Sequence, residues 1–265
     1  MTTSQYIFSS NETDFTTEFP KPIDLSGKQY EVALVTLDTY NSFPNIKENI
    51  NNVFRYSADN GVTWKEIIFD TGSYELSNIN TEIQRQMITN GDYDIINHTS
   101  YINIEPNLAE LESIVSITND SYRVNFGGNY SIGKILGFPA VILSAGHHES
   151  PNIVDINPIN SVLVNTNIIN GSYLNGSKAP VIYSFAPSVG PGRKIVETPN
   201  PLIFLPVSNS ELSTVKIWLT DQDMRPVDLR KEILTIKLVI REVKKRNTER
   251  SIIKAIKKLI DENVF

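Results

Sequence analysis

The clearest pattern in the chain is the alternation of apolar and polar positions that is typical of β-strands. In residues 30–38 the alternation around Val32 changes into a continuous apolar stretch, which predicts a strand covered on both faces near the centre of a sheet. Residues 52–57 and 62–69 lie on either side of Asn60-Gly61, a pair that adopts the positive φ angles of a hairpin turn. The pattern therefore predicts a central strand followed by a β-hairpin.

Three segments predict helices instead. In residues 77–91, apolar residues at Ile79, Ile83 and Met87 share one helical face, with Asn-Gly behind them. Residues 131–137 read as a short structural helix that ends at a glycine. In residues 248–260, isoleucines form one face and lysines and arginine the other, which predicts a basic amphipathic helix.

Further strands follow from runs of β-branched and aromatic residues bounded by Gly, Pro, Asn and Ser. They are predicted at residues 100–105, 113–118, 121–126, 152–156, 161–168, 179–184, 202–206, 213–220 and 233–242. Their number and spacing favour an all-β sandwich or barrel over a βαβ series. No repeat or flexible linker divides the chain, so we expect one domain over residues 1–243, including an N-terminal arm, and a helical tail over residues 244–265.

Composition narrows the chemistry that this fold can carry. The 265 residues include no cysteine, which excludes disulfides, thiolate nucleophiles, zinc–thiolate sites and iron–sulfur clusters. Only three histidines remain for metal binding or acid–base chemistry. The longest apolar runs fall short of the roughly 20 residues that a membrane span needs, and the N-terminus lacks a basic start followed by an apolar stretch. We expect a soluble chain that is not conventionally secreted and belongs to a reducing compartment.

The net charge of −6 is unevenly distributed along the chain. Residues 241–265 contain eight Lys or Arg and four Asp or Glu, a net charge of +4, which leaves −10 for residues 1–240. The candidate contacts to a partner or to nucleic acid are the basic residues of the tail: Lys244, Lys245, Arg246, Arg250, Lys254, Lys257 and Lys258. Two alternatives stay open, in which the charges are simply solvated or the helix folds back over an apolar patch of its own domain.

Catalytic motifs are incomplete. Residues 128–134 satisfy G-x-x-x-x-G-K, but Ile135 stands where a phosphate-binding loop needs Ser or Thr for magnesium. His147, His148 and Glu149 are adjacent, whereas a metal site needs convergent ligands, and we expect them in a solvent-exposed loop. His98 has no visible partner for nucleophilic catalysis. We predict no catalytic, cofactor-binding or metal-binding residues, no cofactor and no enzymatic activity.

Residues 220–226 resemble a fragment of a calcium loop but lack its distal Glu, so we expect a turn between two strands.

Seven short motifs carry a family resemblance. They are FPKPIDL at 19–25, YEVAL at 30–34, FRYS at 54–57, GSYELSNIN at 72–80, KILGF at 134–138, LTDQDMRPVDLR at 219–230 and ILTIKL at 233–238. On these motifs the chain resembles the minor capsid (penton) proteins of Polinton/Maverick elements, adintoviruses and related virophages. Lys231 stands where the family pattern has glycine, and residues after Val243 lie outside the match.

The resemblance implies a single jelly-roll β-sandwich that forms homopentamers at the vertices of an icosahedral virion, whose faces are built by a double-jelly-roll major capsid protein. It also implies assembly in the cytoplasm or nucleus of a host cell, and the tail is the expected contact to packaged DNA. One alternative is a glycan- or ligand-binding jelly-roll attachment protein, for which Trp64 or Trp218 would be exposed on a loop or concave face. The other is a metal- or nucleotide-dependent enzyme that uses His147, His148 or the 128–134 loop.

Overall fold

The computed structural model describes residues 3–156 and 159–243, and within them the chain is mostly β-structure. Among these described residues, one α-helix, α1, spans Leu76–Thr89, and a single 3-10 turn spans Ile132–Lys134. The strands, in chain order, are β1 (Thr3–Ser10), β2 (Asp14–Asp24), β3 (Tyr30–Tyr40), β4 (Val53–Ser57), β5 (Lys65–Ile68), β6 (Tyr93–Asp94), β7 (Thr99–Ser100), β8 (Ile102–Asn107), β9 (Glu112–Ile117), β10 (Arg123–Asn125), β11 (Ile142–Leu143), β12 (Gly146–Glu149), β13 (Val162–Thr166), β14 (Tyr173–Leu174), β15 (Ser177–Lys178), β16 (Val181–Phe185), β17 (Lys194–Glu197), β18 (Leu205–Pro206), β19 (Glu211–Thr220) and β20 (Leu234–Glu242).

Two antiparallel sheets form a sandwich. The first has the strand order β1-β20-β3-β17, with β18 also paired to β3, and the second has the order β16-β13-β19-β2. The eight main strands pass between these sheets in the connectivity of a jelly roll. The predicted all-β jelly-roll class is confirmed.

The sandwich core follows from alternation along its long strands. In β20, the side chains of Leu234, Ile236, Leu238 and Ile240 are buried, while the residues between them face outward. They pack with buried residues of both sheets, including Leu37 of β3. This alternation is the pattern that predicted the strand.

The N-terminal segment, expected as an arm, forms two strands of the sandwich. β1 pairs with β20 along its whole length, and β2 pairs with β19. Both strands lie at sheet edges and expose many polar residues. Their sequences therefore lack the apolar content that marks the central strands.

Residues 41–161, between β3 and β13, form an insertion with a hydrophobic core of its own. The predicted hairpin is present as β4 and β5, and both Asn60 (φ 60°) and Gly61 (φ 87°) adopt positive φ. The predicted helix is α1, which buries Ile79, Ile83 and Met87 in this second core. The second core was not expected. The strand predicted at 152–156 is absent, because the backbone N–H groups of residues 152, 154 and 155 donate to Gly137, Leu111 and Ile135 and not along one neighbouring strand.

The insertion and the C-terminal tail leave the sandwich at opposite ends. β3 begins at Tyr30, opposite Glu242 of β20, and ends at Tyr40, where the insertion begins. At the far end, the backbone N–H of Val243 donates to the carbonyl of Gln29 at 2.8 Å. The predicted tail helix and the domain boundary after residue 243 lie at the edge of, or outside, the described residues and stay predictions.

Candidate interaction surfaces

The glycine-lysine loop at residues 128–134 is a structural turn. The Ser131 hydroxyl accepts a hydrogen bond from the Gly133 N–H and so caps the short 3-10 turn. The Tyr130 carbonyl accepts from the N–H of Val53, and this bond ties the loop to β4. The Lys134 ammonium extends into solvent, 3.7 Å from a carboxylate oxygen of Asp155. The loop therefore has the structural role that the sequence predicted.

The histidine pair lies on a strand, β12, and the expectation of a loop was wrong. As adjacent strand residues, His147 and His148 diverge: the first contacts the Ser116 hydroxyl at 3.1 Å and the second the Ser144 carbonyl at 2.8 Å. Glu149 instead lies close to Glu110 and Glu112, and carboxylate oxygens of all three residues lie within 4.8 Å of one another. Among the described residues, neither histidine belongs to this cluster.

His98, the third histidine, is exposed beside Asp94 in the β6–β7 turn, and its backbone has a positive φ of 52°.

The acidic turn after β19 is satisfied by its own residues. One Asp221 carboxylate oxygen accepts from the backbone N–H groups of Asp223 and Arg225, and the other accepts from the Arg225 guanidinium at 2.7 Å. Burial alone would raise the pKa of Asp221, but these hydrogen bonds together lower it. The predicted turn is confirmed, and both oxygens of the Asp221 carboxylate accept hydrogen bonds from within the turn.

The turn before β20 carries the departure from the family pattern. Lys231, which replaces the expected glycine, adopts a φ of 66°, and its neighbour Arg230 has a φ of 51°. The side chain of Lys231 forms a salt bridge with Glu12 in the turn between β1 and β2. The chain thus keeps a left-handed turn here with two residues that have side chains.

A buried polar network joins the hairpin of the insertion to the end of α1. The Tyr56 hydroxyl donates to Asp92 at 2.6 Å and accepts from the Asn90 amide at 2.9 Å, and Lys65 donates to the same Asp92 oxygen. Burial, together with the hydrogen bond to Asp92, raises the pKa of Tyr56. Burial also raises the pKa of Tyr122 to about 12, with a smaller contribution from the Asp92 charge. This network stabilises the insertion rather than forming a reactive site.

The sandwich has two lateral sides, each formed by one edge of each sheet. We define the β1–β2 side as residues 3–24, where the rings of Tyr6 and Phe19 meet edge to face, 5.7 Å apart. We define the β14–β18 side as residues 171–206, where the Tyr183 hydroxyl of β16 donates to Glu197 of β17 at 3.0 Å. These opposite sides present different surfaces, and the sequence did not predict that either one is a contact surface.

The two tryptophans lie in different regions. Trp64 is half-buried in the loop of the β4–β5 hairpin, and Trp218 is half-buried on β19, where the Lys216 ammonium lies 5.3 Å from its ring centroid. The expected partial burial of both residues is confirmed.

Comparisons with known proteins add structural neighbours at low sequence identity. The mavirus penton protein is similar to this chain with 11% identity and a TM-score of 0.46, over 91% of this chain and 99% of that chain. A chain of the Sputnik virophage structure is similar with 12% identity and a TM-score of 0.41, over 90% of this chain and 97% of that chain. No family model and no curated protein matches the sequence.

Charge separates the three parts of the chain. The insertion contains six Lys or Arg and fourteen Asp or Glu, so it carries −8 of the −10 found in residues 1–240. The sandwich strands and their short loops are close to neutral, and the positive charge lies in the tail. The seven basic residues proposed as contacts, Lys244 to Lys258, lie outside the described residues.

No described helix is long and apolar enough to cross a bilayer.

Proposed function

We propose that this chain is a non-enzymatic minor capsid protein that forms homopentameric vertices of an icosahedral virion, next to a double-jelly-roll major capsid protein. The observation that carries this proposal is the complete jelly-roll strand order, β1-β20-β3-β17 against β16-β13-β19-β2. The sequence motifs that resemble minor capsid proteins support it independently, because they come from both the sandwich and the insertion. The protein is then made and assembled in the cytoplasm or nucleus of a host cell.

The shape of the sandwich suits a ring. Its ends carry the insertion and the tail, so the two lateral sides are the surfaces through which neighbouring copies would meet. Since these sides differ, one copy contacts the next head to tail, and such a contact closes into a ring when the rotation per subunit divides a full turn.

The proposal is tested by electron microscopy of the purified full-length chain, alone and mixed with the major capsid protein of the same source. We expect five-membered rings and their incorporation at shell vertices. A chain that stays monomeric at high concentration and never joins shells would contradict the proposal.

For the basic tail we propose contact with packaged nucleic acid. The start of the tail at Val243 lies at the end of the sandwich opposite the acidic insertion, so a polyanion near the tail is kept away from most of the negative charge of the chain. Attraction to phosphates predicts binding that weakens steeply as salt is raised.

Deletion of residues 246–265 tests the role of the tail, with salt-dependent DNA binding and genome packaging as readouts. We expect both to decrease while circular dichroism still reports the folded sandwich. Unchanged packaging in the deletion variant would show that the tail has another role.

A further inference from the structure

The first strand of the β1–β2 side is an unprotected edge. β1 pairs with β20 through eight consecutive residues without a bulge, and it contains neither proline nor a charged residue. Edge strands in natural proteins usually carry one of these features to prevent pairing or packing with other chains. Ile7, in the middle of β1, is 63% exposed on the outer face of the sheet. An apolar side chain is thus presented on a strand that lacks the usual protection.

The opposite lateral side holds an apolar cleft of about 450 Å³. It lies between the β14–β15 hairpin, the edge strand β16 and the segment that leads into β18. None of its lining residues is charged, and Tyr173 and Ile203 at its rim are 64% and 61% exposed. A cleft of this composition accommodates an aliphatic side chain.

The two sides carry net charges of opposite sign, since residues 3–24 contain four Asp or Glu and one Lys, and residues 171–206 contain three Lys or Arg and one Glu. Salt bridges within the chain use Asp14 (with Lys216) and Lys194 (with Asp38). Among the described residues, Glu18, Asp24 and Lys21 on the β1–β2 side and Lys178, Arg193 and Glu197 on the β14–β18 side form no salt bridge. Across a contact between copies, charges of opposite sign increase the association rate and set the orientation.

We infer that the β1–β2 side of one copy docks on the β14–β18 side of a second copy of this chain, with Ile7 in the cleft between Tyr173 and Ile203. The inference rests on the proposed function and specifies the surfaces that build its ring. Because β2 has eleven residues, the side is roughly 36 Å long, and a sandwich about 20 Å thick offers about 700 Å². That is close to the ~800 Å² per partner of a standard interface.

The test compares the full-length chain with three variants by sedimentation velocity over a concentration series. Ile7→Asp damages the β1–β2 side, and Ile203→Asp damages the β14–β18 side. Ile153→Asp is the matched control, since Ile153 is 65% exposed but lies in the insertion. Circular dichroism checks folding, and Ile7→Ser and Ile203→Ser replace any Asp variant that fails to fold.

We expect each of the two sandwich variants to weaken self-association by about tenfold or more, and the Ile153→Asp control to assemble like the wild type. An equimolar mixture of Ile7→Asp and Ile203→Asp should form dimers at high concentration, since each variant retains the side that the other has lost. A symmetric contact between two β1–β2 sides would give no such complementation.

The possible failures are distinguishable. If the wild type forms rings and both sandwich variants form them equally well, or if the mixture fails to dimerise, this inference is wrong while the proposed function stands. If the wild type neither forms rings nor joins shells, the proposed function itself is wrong.

Discussion

The sandwich and the insertion each have a hydrophobic core, but the strands around the two cores differ in how far apart in sequence their partners lie. The sandwich pairs strands from distant parts of the chain, so that Ser9 in β1 lies beside Thr235 in β20. The insertion is built largely from neighbours in sequence, such as β4 with β5 and β8 with β9. Since closing a long loop costs more entropy than closing a short one, the insertion needs less of the chain to be ordered before its contacts form.

The sandwich and the insertion do not share one continuous hydrophobic core. The buried residues of the sandwich and of the insertion form separate clusters, and an open cleft of about 450 Å³ lies between them, lined by Phe43, Glu75 and Pro187 among others. Hydrogen bonds cross nearby, for example from the Ser42 hydroxyl to the Leu229 carbonyl at 2.7 Å. We expect the two regions to unfold as separate cooperative units.

The largest expected effect comes from a cavity in either core. Leu37→Ala in the sandwich and Ile83→Ala in the insertion each remove a fully buried side chain and should lower the free energy of unfolding of their own region by about 2–5 kcal/mol. The other region should change by less than about 0.5 kcal/mol.

The two tryptophans allow each region to be followed separately. Trp64 lies in the insertion and Trp218 in the sandwich, so single-tryptophan variants made with Trp218→Phe or Trp64→Phe give one fluorescence probe per region. Urea unfolding is then measured with each probe for both core variants. If Leu37→Ala and Ile83→Ala shift both probes equally, the chain unfolds as one unit and the comparison fails.

An intermediate effect is expected from alkaline pH. Tyr56 and Tyr122 lie in the core of the insertion with pKa values raised above the usual 10, so their neutral forms are favoured in the folded state. Their contribution to stability is fully present below pH 10; the part from Tyr122 is lost as the pH rises through about 12, and the part from Tyr56 is lost at higher pH. The Trp64 probe should therefore report a urea midpoint that falls between about pH 10 and pH 12.

The double variant Tyr56→Phe/Tyr122→Phe provides the control for this pH dependence. At pH 7 we expect it to lose about 1–3 kcal/mol, because the Tyr56 hydroxyl no longer pairs with buried Asp92. Its midpoint should fall less than that of the parent as the pH rises. An equal fall in both proteins would assign the alkaline sensitivity to other groups, such as Tyr183 in the sandwich, whose pKa is also raised.

Sequence patterns predicted the elements whose apolar residues repeat strongly. The central strand β3, the β4–β5 hairpin, helix α1 and the long strands β19 and β20 were all found in this way. The edge strands β1, β2 and β17 were missed, because an edge strand exposes polar residues and β2 also contains Pro20 and Pro22.

The surfaces that the structure makes important could not be predicted from motifs. The second core depends on which strands meet, and periodicity does not specify that. The lateral sides depend on the strand order in the same way. The sequence feature that relates to these sides is an absence: β1 and β16, which lie at sheet edges, contain no charged residue.

The smallest expected effect concerns the motif that most resembled an active site. The Lys134 side chain is 88% exposed, and its distance of 3.7 Å from Asp155 makes at most a weak surface ion pair. Lys134→Ala should therefore change the free energy of unfolding reported by Trp64 by less than about 0.5 kcal/mol, in contrast to the loss expected for Ile83→Ala in the same region. Thermal unfolding with and without Mg-ATP should give one midpoint for the wild type and for the variant. A rise in the midpoint with Mg-ATP that disappears in Lys134→Ala would make the 128–134 loop a nucleotide site, because stabilisation by a ligand requires preferential binding to the folded state.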